Sequence, residues 1–238
     1  MPIDEQILGD GLLAWNLSNP RRRNAVAPDD LAFIARRAPA LGDQVVVLRG
    51  AGGGPFCSGF DLAHLDADER PDRPLMRATA AMERSPALFI AQVAGYAIGA
   101  GVELCAACDF VCADEAAFFA IPAGKLGVLY HRAGLARLAR RFSRRALRSM
   151  ILLGRREPAR TLAAEGALDH LAPSGALDDD VRTMAEALLA VPAAVRRHTA
   201  AWLRGDDGEA TAPDAWADLR GRLYAARRRG APATLPGP

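Results

Sequence analysis

Glu103 is the residue of this sequence whose surroundings most favour acid–base chemistry. It follows Gly99 and Gly101 closely and stands between the apolar residues Val102 and Leu104. A carboxylate in apolar surroundings is poorly solvated, so it can be tuned as an acid or a base. Its position in the first turn of a predicted helix would also suit an acidic residue that complements the helix dipole. We favour the acid–base role because the neighbouring side chains are apolar.

The segment around Glu103 predicts a backbone site for an anion. An apolar run of strand length, Leu88–Val93, is broken by glycines and followed by a short buried helix, Val102–Cys108, and a second strand, Phe110–Cys112. The predicted order is therefore strand, glycine turn, helix and strand. Glycine lets a ligand approach the backbone closely, and the first N–H groups of the helix point at that ligand with the positive end of the helix dipole.

A second glycine turn follows an earlier strand. The run Gln44–Leu48 shows little alternation and predicts a strand that is buried on both faces. The glycine-rich loop after it, Arg49–Asp61, contains the turn Ser58-Gly59 but matches no nucleotide-binding fingerprint. Converging N–H groups from this turn and from the turn before Glu103 would form an oxyanion hole.

The composition is that of a globular protein without a large excess of charge. The chain has 238 residues, half of them hydrophobic, and a net charge of +2. It is long enough for one sizeable core, or one core with a helical appendage, and its charge predicts no strong attraction to nucleic acid or to a membrane. No apolar run approaches the roughly 20 residues of a membrane span, and the N-terminus lacks the features of a signal peptide, so we expect a cytoplasmic protein.

Three of the four cysteines lie close together, at Cys105, Cys108 and Cys112. Their spacing lacks a second pair and no histidine is near, so the pattern is not typical of a zinc site. We expect buried thiols that pack as small hydrophobic side chains, and no bound metal.

Two motifs and their order resemble those of the crotonase family, also called the enoyl-CoA hydratase/isomerase family. The resemblance extends from a predicted hairpin, residues 6–17, to about Pro173. The two motifs are Phe56–Leu62 (FCSGFDL) and Ala94–Leu104 (AGYAIGAGVEL), and supporting matches lie at Asn24-Ala25, Cys108-Asp109, Leu126-Gly127 and Ala164–Asp169.

The resemblance implies an α/β fold, a crotonase-like spiral of β-β-α units with a C-terminal helical region. The spiral core would comprise residues 1–175 and the helical region residues 176–229, and the tail 230–238, rich in proline and glycine, would be disordered. The resemblance also implies assembly as a homotrimer or homohexamer. The ligand that it implies is an acyl-CoA thioester, bound as substrate, with no further cofactor.

The resemblance also assigns site residues. The thioester carbonyl oxygen would lie between the backbone N–H groups of Ser58 and Ala100, and Glu103 would act as the acid or base. Two such donors would stabilise the enolate that forms when a thioester gains a nucleophile at Cβ or loses a proton at Cα. The implied substrate-binding residues are Arg23, Ala25, Ser58, Gly59, Phe60, Asp61, Gly99, Ala100, Ala123, Tyr130 and His131.

One position departs from the family pattern. Family hydratases use a second glutamate, and the corresponding residue here is Ala123, which cannot carry a proton. Tyr130 and His131 follow soon after and are candidates for a substitute acid, although a histidine at a helix start is often structural. Lys125 is a weaker candidate, because the turn that carries it can direct its side chain elsewhere.

Three functions are consistent with these residues. The first is hydration, the reverse dehydration, or double-bond isomerisation of an enoyl-CoA, with Glu103 as the acid or base. The second is another reaction of the same scaffold, such as thioester hydrolysis or decarboxylation. The third is acyl-CoA binding without catalysis, which Ala123 favours and Glu103 disfavours.

The remainder of the chain is predicted to be mainly helical. A hairpin, Gln6–Leu8 with Leu12–Leu17, and a helix beginning at Pro28 precede the first glycine turn. Beyond the second turn, apolar spacing predicts a helix over Gly134–Leu153, whose arginines form a solvated face or contact the acidic groups of CoA or a neighbouring subunit. Further predictions are a strand at Ala167–Leu171 and helices at Pro158–Glu165, Asp178–Val191, Ala193–Arg204 and Pro213–Arg229.

Overall fold

The computed structural model describes residues 3–61, 71–205 and 213–228. Its strands are β1 (Asp4–Gly9), β2 (Leu12–Leu17), β3 (Val45–Gly50), β4 (Leu88–Val93), β5 (Tyr96–Ile98), β6 (Phe110–Asp114), β7 (Phe118–Ala120), β8 (Glu157–Pro158) and β9 (His170–Ala172). Its α-helices are α1 (Pro28–Arg37), α2 (Arg73–Glu83), α3 (Ala100–Ala107), α4 (Arg132–Arg141), α5 (Arg144–Leu147), α6 (Ala159–Ala164), α7 (Leu177–Ala190), α8 (Ala193–Leu203) and α9 (Pro213–Arg228). Short 3-10 turns lie at Pro20–Arg22, Ala38–Ala40 and Pro122–Leu126, and a π turn lies at Arg148–Leu152.

The larger sheet is almost entirely parallel. Its strand order is β1-β2-β3-β4-β6-β9, and β1 and β2 form an antiparallel hairpin while the other neighbouring pairs are parallel. Parallel neighbours require crossover connections, which α1, α2 and α3 supply between successive strands. A smaller sheet has the order β5-β7-β8. This architecture confirms the predicted α/β class.

The larger sheet is covered on both faces, as strand β3 illustrates. Val46 and Leu48 belong to the main core, which the sheet forms with α1, α2 and α3. Val45 and Val47 point to the other face and pack in a second cluster with α7. The near absence of alternation in this run therefore correctly predicts a strand buried on both faces.

Most of the longer elements agree with the prediction from sequence. Strand β4 has the predicted bounds, and the first hairpin, α1, and the helices α6 to α9 lie within a residue or two of the predicted ranges. The tail 230–238 lies outside the described residues, and the division into a spiral core and a helical region stays a prediction. Of the helices that the structure describes, none combines the length and the apolar character needed to cross a bilayer.

The short strands are where the prediction is wrong. Strand β5 lies between β4 and α3, where the sequence predicts only a glycine turn, and it pairs with β7. Strands β7 and β8 were likewise not predicted, and β9 begins at His170 instead of Ala167. Elements of two or three residues carry no measurable periodicity, so their pairing partners alone define them.

The prediction of one helix over Gly134–Leu153 is also wrong, because the helix is interrupted in the middle of this range. Helix α4 ends at Arg141, and Phe142 is extended, with φ −109° and ψ 145°. The Ser143 hydroxyl then accepts a hydrogen bond from the Ala146 N–H at 3.1 Å and begins α5. Apolar spacing continues across the break and hides it, whereas Ser143 is a good N-cap residue that could have revealed it.

Candidate active site

The two glycine turns predicted from sequence lie in direct contact. The Cys57 segment pairs with β5, where the Ile98 N–H donates to the Cys57 carbonyl at 2.9 Å. Gly59 has φ +109°, and a Cβ atom there would lie 3.2 Å from the Ile98 carbonyl oxygen. A Cβ atom on Gly101 would lie 2.8 Å from the Cys57 Cβ atom. The close approach therefore requires glycine on both turns.

The two predicted oxyanion donors differ in their hydrogen bonding. The Ala100 N–H, at the start of α3, has no acceptor among the residues that the structure describes. The Ser58 N–H, in contrast, donates to the Arg23 carbonyl at 3.2 Å. An incoming carbonyl oxygen would meet a free donor at Ala100 and an engaged one at Ser58.

Residues 22–26 lie beside these two turns and form a third side of the site. Val26 pairs with Phe60: its N–H donates to the Gly59 carbonyl at 2.9 Å, and its carbonyl accepts from the Asp61 N–H at the same distance. The Asp61 carboxylate also pairs with Arg22. This segment therefore brings the predicted binding residues Arg23, Ala25, Gly59, Phe60 and Asp61 to one place.

The buried side chain of Asn24 holds residues 22–26 against the loop that follows β3. Its amide donates to the carbonyls of Ala51 and Pro55, at 3.2 and 2.8 Å. Arg23 and Asn24 both have positive φ angles, of 52° and 58°. An asparagine tolerates this left-handed conformation better than most residues, so Asn24 suits both the backbone and the loop that it holds.

Glu103 lies on the first turn of α3 and is 0% exposed, as the apolar neighbours predict. It is not, however, an isolated carboxylate. Its Oε1 accepts a hydrogen bond from Arg137 Nη1 at 2.8 Å, and its Oε2 lies 3.2 Å from His131 Nε2. Both partners come from the segment around the start of α4, which packs against α3.

Arg137 is the site residue that the sequence reasoning missed. The sequence predicts that the arginines of this segment form a solvated face or contact CoA or a neighbouring subunit, but the Arg137 side chain is only 4% exposed. Besides Glu103, it holds Glu83 through two hydrogen bonds, Nε to Oε1 at 3.0 Å and Nη2 to Oε2 at 2.6 Å. The signal was available, because Arg137 follows Gly134 by three residues and so lies on the same face of α4, where Gly134 is also buried.

His131 is the N-cap of α4. Its Nδ1 accepts a hydrogen bond from the Gly134 N–H at 2.9 Å. In a neutral imidazole the other nitrogen then carries the proton, so Nε2–H donates to Glu103. Gly134 has no room for a side chain, because a Cβ atom there would lie 2.8 Å from Glu103 Oε2 and 2.7 Å from His131 Cε1.

Tyr130 stacks on His131, with ring centroids 5.5 Å apart and an interplanar angle of 18°. Its hydroxyl lies 3.5 Å from the carbonyl oxygen of Gly99, on the peptide that also carries the Ala100 N–H. Burial, together with the negative charge of Glu103 and a hydrogen bond to it, raises the pKa of Tyr130 well above its usual value. The site therefore contains a neutral phenol beside the glycine turn.

Ala123 occupies the buried part of the turn Pro122–Leu126. Lys125 on the same turn packs its aliphatic chain against Gly154, since a Cβ atom on Gly154 would lie 2.6 Å from Lys125 Cδ. The structure therefore brings Tyr130 and His131 to Glu103 and places Lys125 against the end of the π turn.

The cysteines pack as predicted. Cys57, Cys105, Cys108 and Cys112 are all free and buried. Burial raises the pKa of both Cys57 and Cys112 to about 12. Thiols with such pKa values stay protonated at neutral pH and behave as small hydrophobic side chains.

Comparison with known proteins agrees with this geometry. The chain matches the family model for enoyl-CoA hydratase/isomerase over residues 10–213. A carnitinyl-CoA dehydratase from Proteus mirabilis (strain HI4320) is 31% identical over 157 residues, which are 63% of this chain and 59% of the relative. The match therefore spans less than two thirds of that relative's length.

Solved structures show the same fold over nearly the whole chain. An enoyl-CoA hydratase/isomerase family protein from Hyphomonas neptunium has a TM-score of 0.84 at 27% identity, covering 99% of this chain and 98% of its own. An enoyl-CoA hydratase homologue from Thermobifida fusca YX, solved in complex with CoA, has a TM-score of 0.78 at 25% identity, covering 96% and 94%. With the family model matching most of its length, this chain belongs to the enoyl-CoA hydratase/isomerase family, the crotonases.

Proposed function

We propose that the protein acts on acyl-CoA thioesters as an enoyl-CoA hydratase or isomerase. The observation that carries this proposal is the contact of two glycine turns beside the buried carboxylate of Glu103. The enolate of a thioester carries its negative charge on the carbonyl oxygen, and preorganised backbone N–H groups stabilise that charge. One such donor contributes about 10²–10³ in rate in a well-studied hydrolase.

The relatives support this class of substrate. The Proteus mirabilis relative is a carnitinyl-CoA dehydratase, and the Thermobifida fusca structure was solved in complex with CoA. Dehydration and hydration are the two directions of one reaction, so a site that stabilises the shared enolate serves both. An acyl-CoA thioester is therefore the ligand that we assign to the turns.

In the hydration direction, Glu103 would orient a water molecule and accept its proton while the oxygen attacks Cβ. The Ala100 N–H would donate to the thioester oxygen, and the Ser58 N–H would join it by sharing or releasing the Arg23 carbonyl. Isomerisation would need Glu103 alone, moving a proton between Cα and Cγ. A single carboxylate therefore leaves both reactions available to this site.

The experiment follows the ultraviolet absorbance of the conjugated thioester of crotonyl-CoA in the presence of the protein, beside a calorimetric titration with the same ligand. We expect absorbance to fall as 3-hydroxyacyl-CoA forms, or to rise when a 3-enoyl-CoA is supplied as the isomerase substrate. Binding without either change would reject both activities on short chains.

Decarboxylation is the second candidate, and one observation favours it. Both oxygens of Glu103 already have partners, Arg137 and His131, and Ala123 cannot replace it as a base. A malonyl-type thioester forms its enolate by losing CO₂, without any base, and then needs an oxyanion hole and a proton donor. Release of CO₂ from malonyl-CoA by a protein that leaves crotonyl-CoA unchanged would establish this reaction instead.

A further inference from the structure

We propose that Tyr130 is the second proton carrier of the site and donates the proton that reaches Cα of the acyl group. This inference rests on the proposed hydratase function, in which two protons move. One leaves the attacking water, and one arrives at Cα. In the family pattern a second glutamate would donate the proton that reaches Cα, and Ala123 stands in its place.

Glu103 is well suited to the first proton and poorly suited to the second. Its carboxylate is fully buried, accepts from Arg137 Nη1 at 2.8 Å and faces His131 Nε2 at 3.2 Å. In the proposed hydration it takes the proton of the water that attacks Cβ. While Glu103 holds that proton, a separate group supplies the one that reaches Cα.

His131 is excluded by the hydrogen bonds that it makes. Its Nδ1 accepts from the Gly134 N–H at 2.9 Å, and its Nε2 faces Glu103 Oε2 at 3.2 Å. An imidazolium would place a proton on Nδ1 against the Gly134 N–H and break the helix cap. The ring thus holds Glu103 in position, and its Nε2 faces the carboxylate and not the acyl group.

The Tyr130 hydroxyl carries a proton, and its position suits a proton donor. Its hydroxyl is 3.5 Å from the Gly99 carbonyl oxygen, which also accepts from the Glu103 N–H at 3.2 Å, so the hydroxyl lies along the first turn of α3. Its ring stacks on His131, which faces the Glu103 carboxylate. We place Cα of a thioester bound at the Ala100 N–H between Glu103 and this hydroxyl. The raised pKa of Tyr130 keeps its proton in place until the enolate forms.

Every proton that moves in the proposed hydration is accounted for. The water oxygen bonds to Cβ and its proton passes to Glu103, while the enolate takes the phenol proton at Cα. The Tyr130 phenolate then recovers a proton from the protonated Glu103, directly or through a water molecule. Both residues end in their starting states, and no co-reactant other than water is used.

The test is Tyr130→Phe, with Tyr96→Phe as the matched control. Tyr96 loses the same hydroxyl from strand β5, where its ring lies 5.2 Å from that of Phe118. We expect Tyr130→Phe to lower kcat for crotonyl-CoA hydration by about 10²–10⁴-fold, the usual contribution of a general acid, with Kd for the thioester changed less than threefold. Tyr96→Phe should keep the wild-type kcat.

A second readout distinguishes proton donation from support of the fold. In D₂O the wild-type product should carry deuterium at Cα in one configuration, as shown by NMR. The residual product of Tyr130→Phe should carry it in both, because bulk water then supplies the proton. Wild-type kcat in Tyr130→Phe, or a slow variant with unchanged stereochemistry, would overturn the role of Tyr130 and leave the hydratase proposal standing. An inactive wild-type protein would overturn both.

Discussion

At the scale of single residues, the Glu103–Arg137 pair decides how the site behaves. Both side chains are almost completely buried, and Arg137 also forms an ion pair with Glu83. Two charges removed from water are tolerated only when each has close partners. Removing one partner therefore leaves the other charge buried without compensation.

Arg137→Met tests this pair. We expect the variant to lose about 3–5 kcal/mol of unfolding free energy, the usual cost of breaking a buried ion pair, in a urea titration. Arg140→Met is the matched control, because Arg140 pairs with the same Glu83 but its side chain is 56% exposed. An exposed pair is worth about 0–1 kcal/mol, so equal losses in the two variants would contradict our account of the buried pair.

Sequence reasoning located Glu103 and its buried surroundings but not its partners. The apolar residues that predict burial are its neighbours in the chain, whereas Arg137 is 34 positions away and His131 is 28. Such contacts depend on how α4 packs on α3, which local patterns do not encode. His131 and Tyr130 were named as candidates from their positions alone, and their catalytic and binding roles stay predictions.

At the scale of elements, the N-terminus of α4 is the part that completes the site. It packs so closely on α3 that a Cβ atom on Gly134 would overlap both the Glu103 carboxylate and the His131 ring. The helix begins with an imidazole cap instead of a hydroxyl or carboxylate, and this cap fixes the direction of the ring. One small residue therefore sets the distance between the helix and the carboxylate.

Gly134→Ala should displace these groups. Its Cβ would lie 2.7–2.8 Å from His131 and Glu103 atoms, so we expect a loss of about 1–3 kcal/mol in stability and a larger loss in kcat than in substrate affinity. Gly9→Ala provides the control, because a Cβ there meets nothing within 4 Å. Unchanged turnover in Gly134→Ala would show that the position of His131 does not matter for catalysis.

The elements also show where local patterns succeed. Strand β4 is long and apolar throughout, and its bounds follow directly from the sequence. Strand β5 has only three residues between glycines, and it exists because Ala97 can pair with Cys57 and with Phe119. The convergence of the two glycine turns was predicted, whereas the strand that holds them together could be seen only in the structure.

At the scale of the whole molecule, exposed apolar side chains cluster beside the site. Leu129 is 93% exposed, and Leu126 and Val128 on the same segment are also exposed. Leu152, at the end of the π turn, and Leu153 after it are also exposed. The π turn packs on the turn Pro122–Leu126, where a Cβ atom on Gly124 would lie 2.6 Å from the Ile151 carbonyl oxygen. A contiguous exposed apolar surface is typical of a contact with another protein. We propose that it is covered by a second copy of this chain in a homotrimer or homohexamer.

Light scattering coupled to size exclusion tests this assembly. We expect the mass of three or six chains for the wild-type protein and a smaller mass for Leu129→Asp. Ile7→Asp should leave the mass unchanged, because Ile7 is an exposed apolar residue on strand β1, outside the cluster. A monomeric wild-type protein would contradict the proposal, and so would an unchanged mass for Leu129→Asp.

The measurement that tests the central claim most directly compares wild-type protein with Glu103→Gln, following thioester absorbance and ligand affinity together. The glutamine keeps the size of the side chain and can still accept from Arg137, but it cannot take a proton. We expect turnover of crotonyl-CoA to fall by about 10²–10⁴-fold, with the dissociation constant nearly unchanged, because the donors that bind the carbonyl are backbone groups. Equal turnover in the two proteins would remove Glu103 from the reaction and contradict the mechanism proposed for this site.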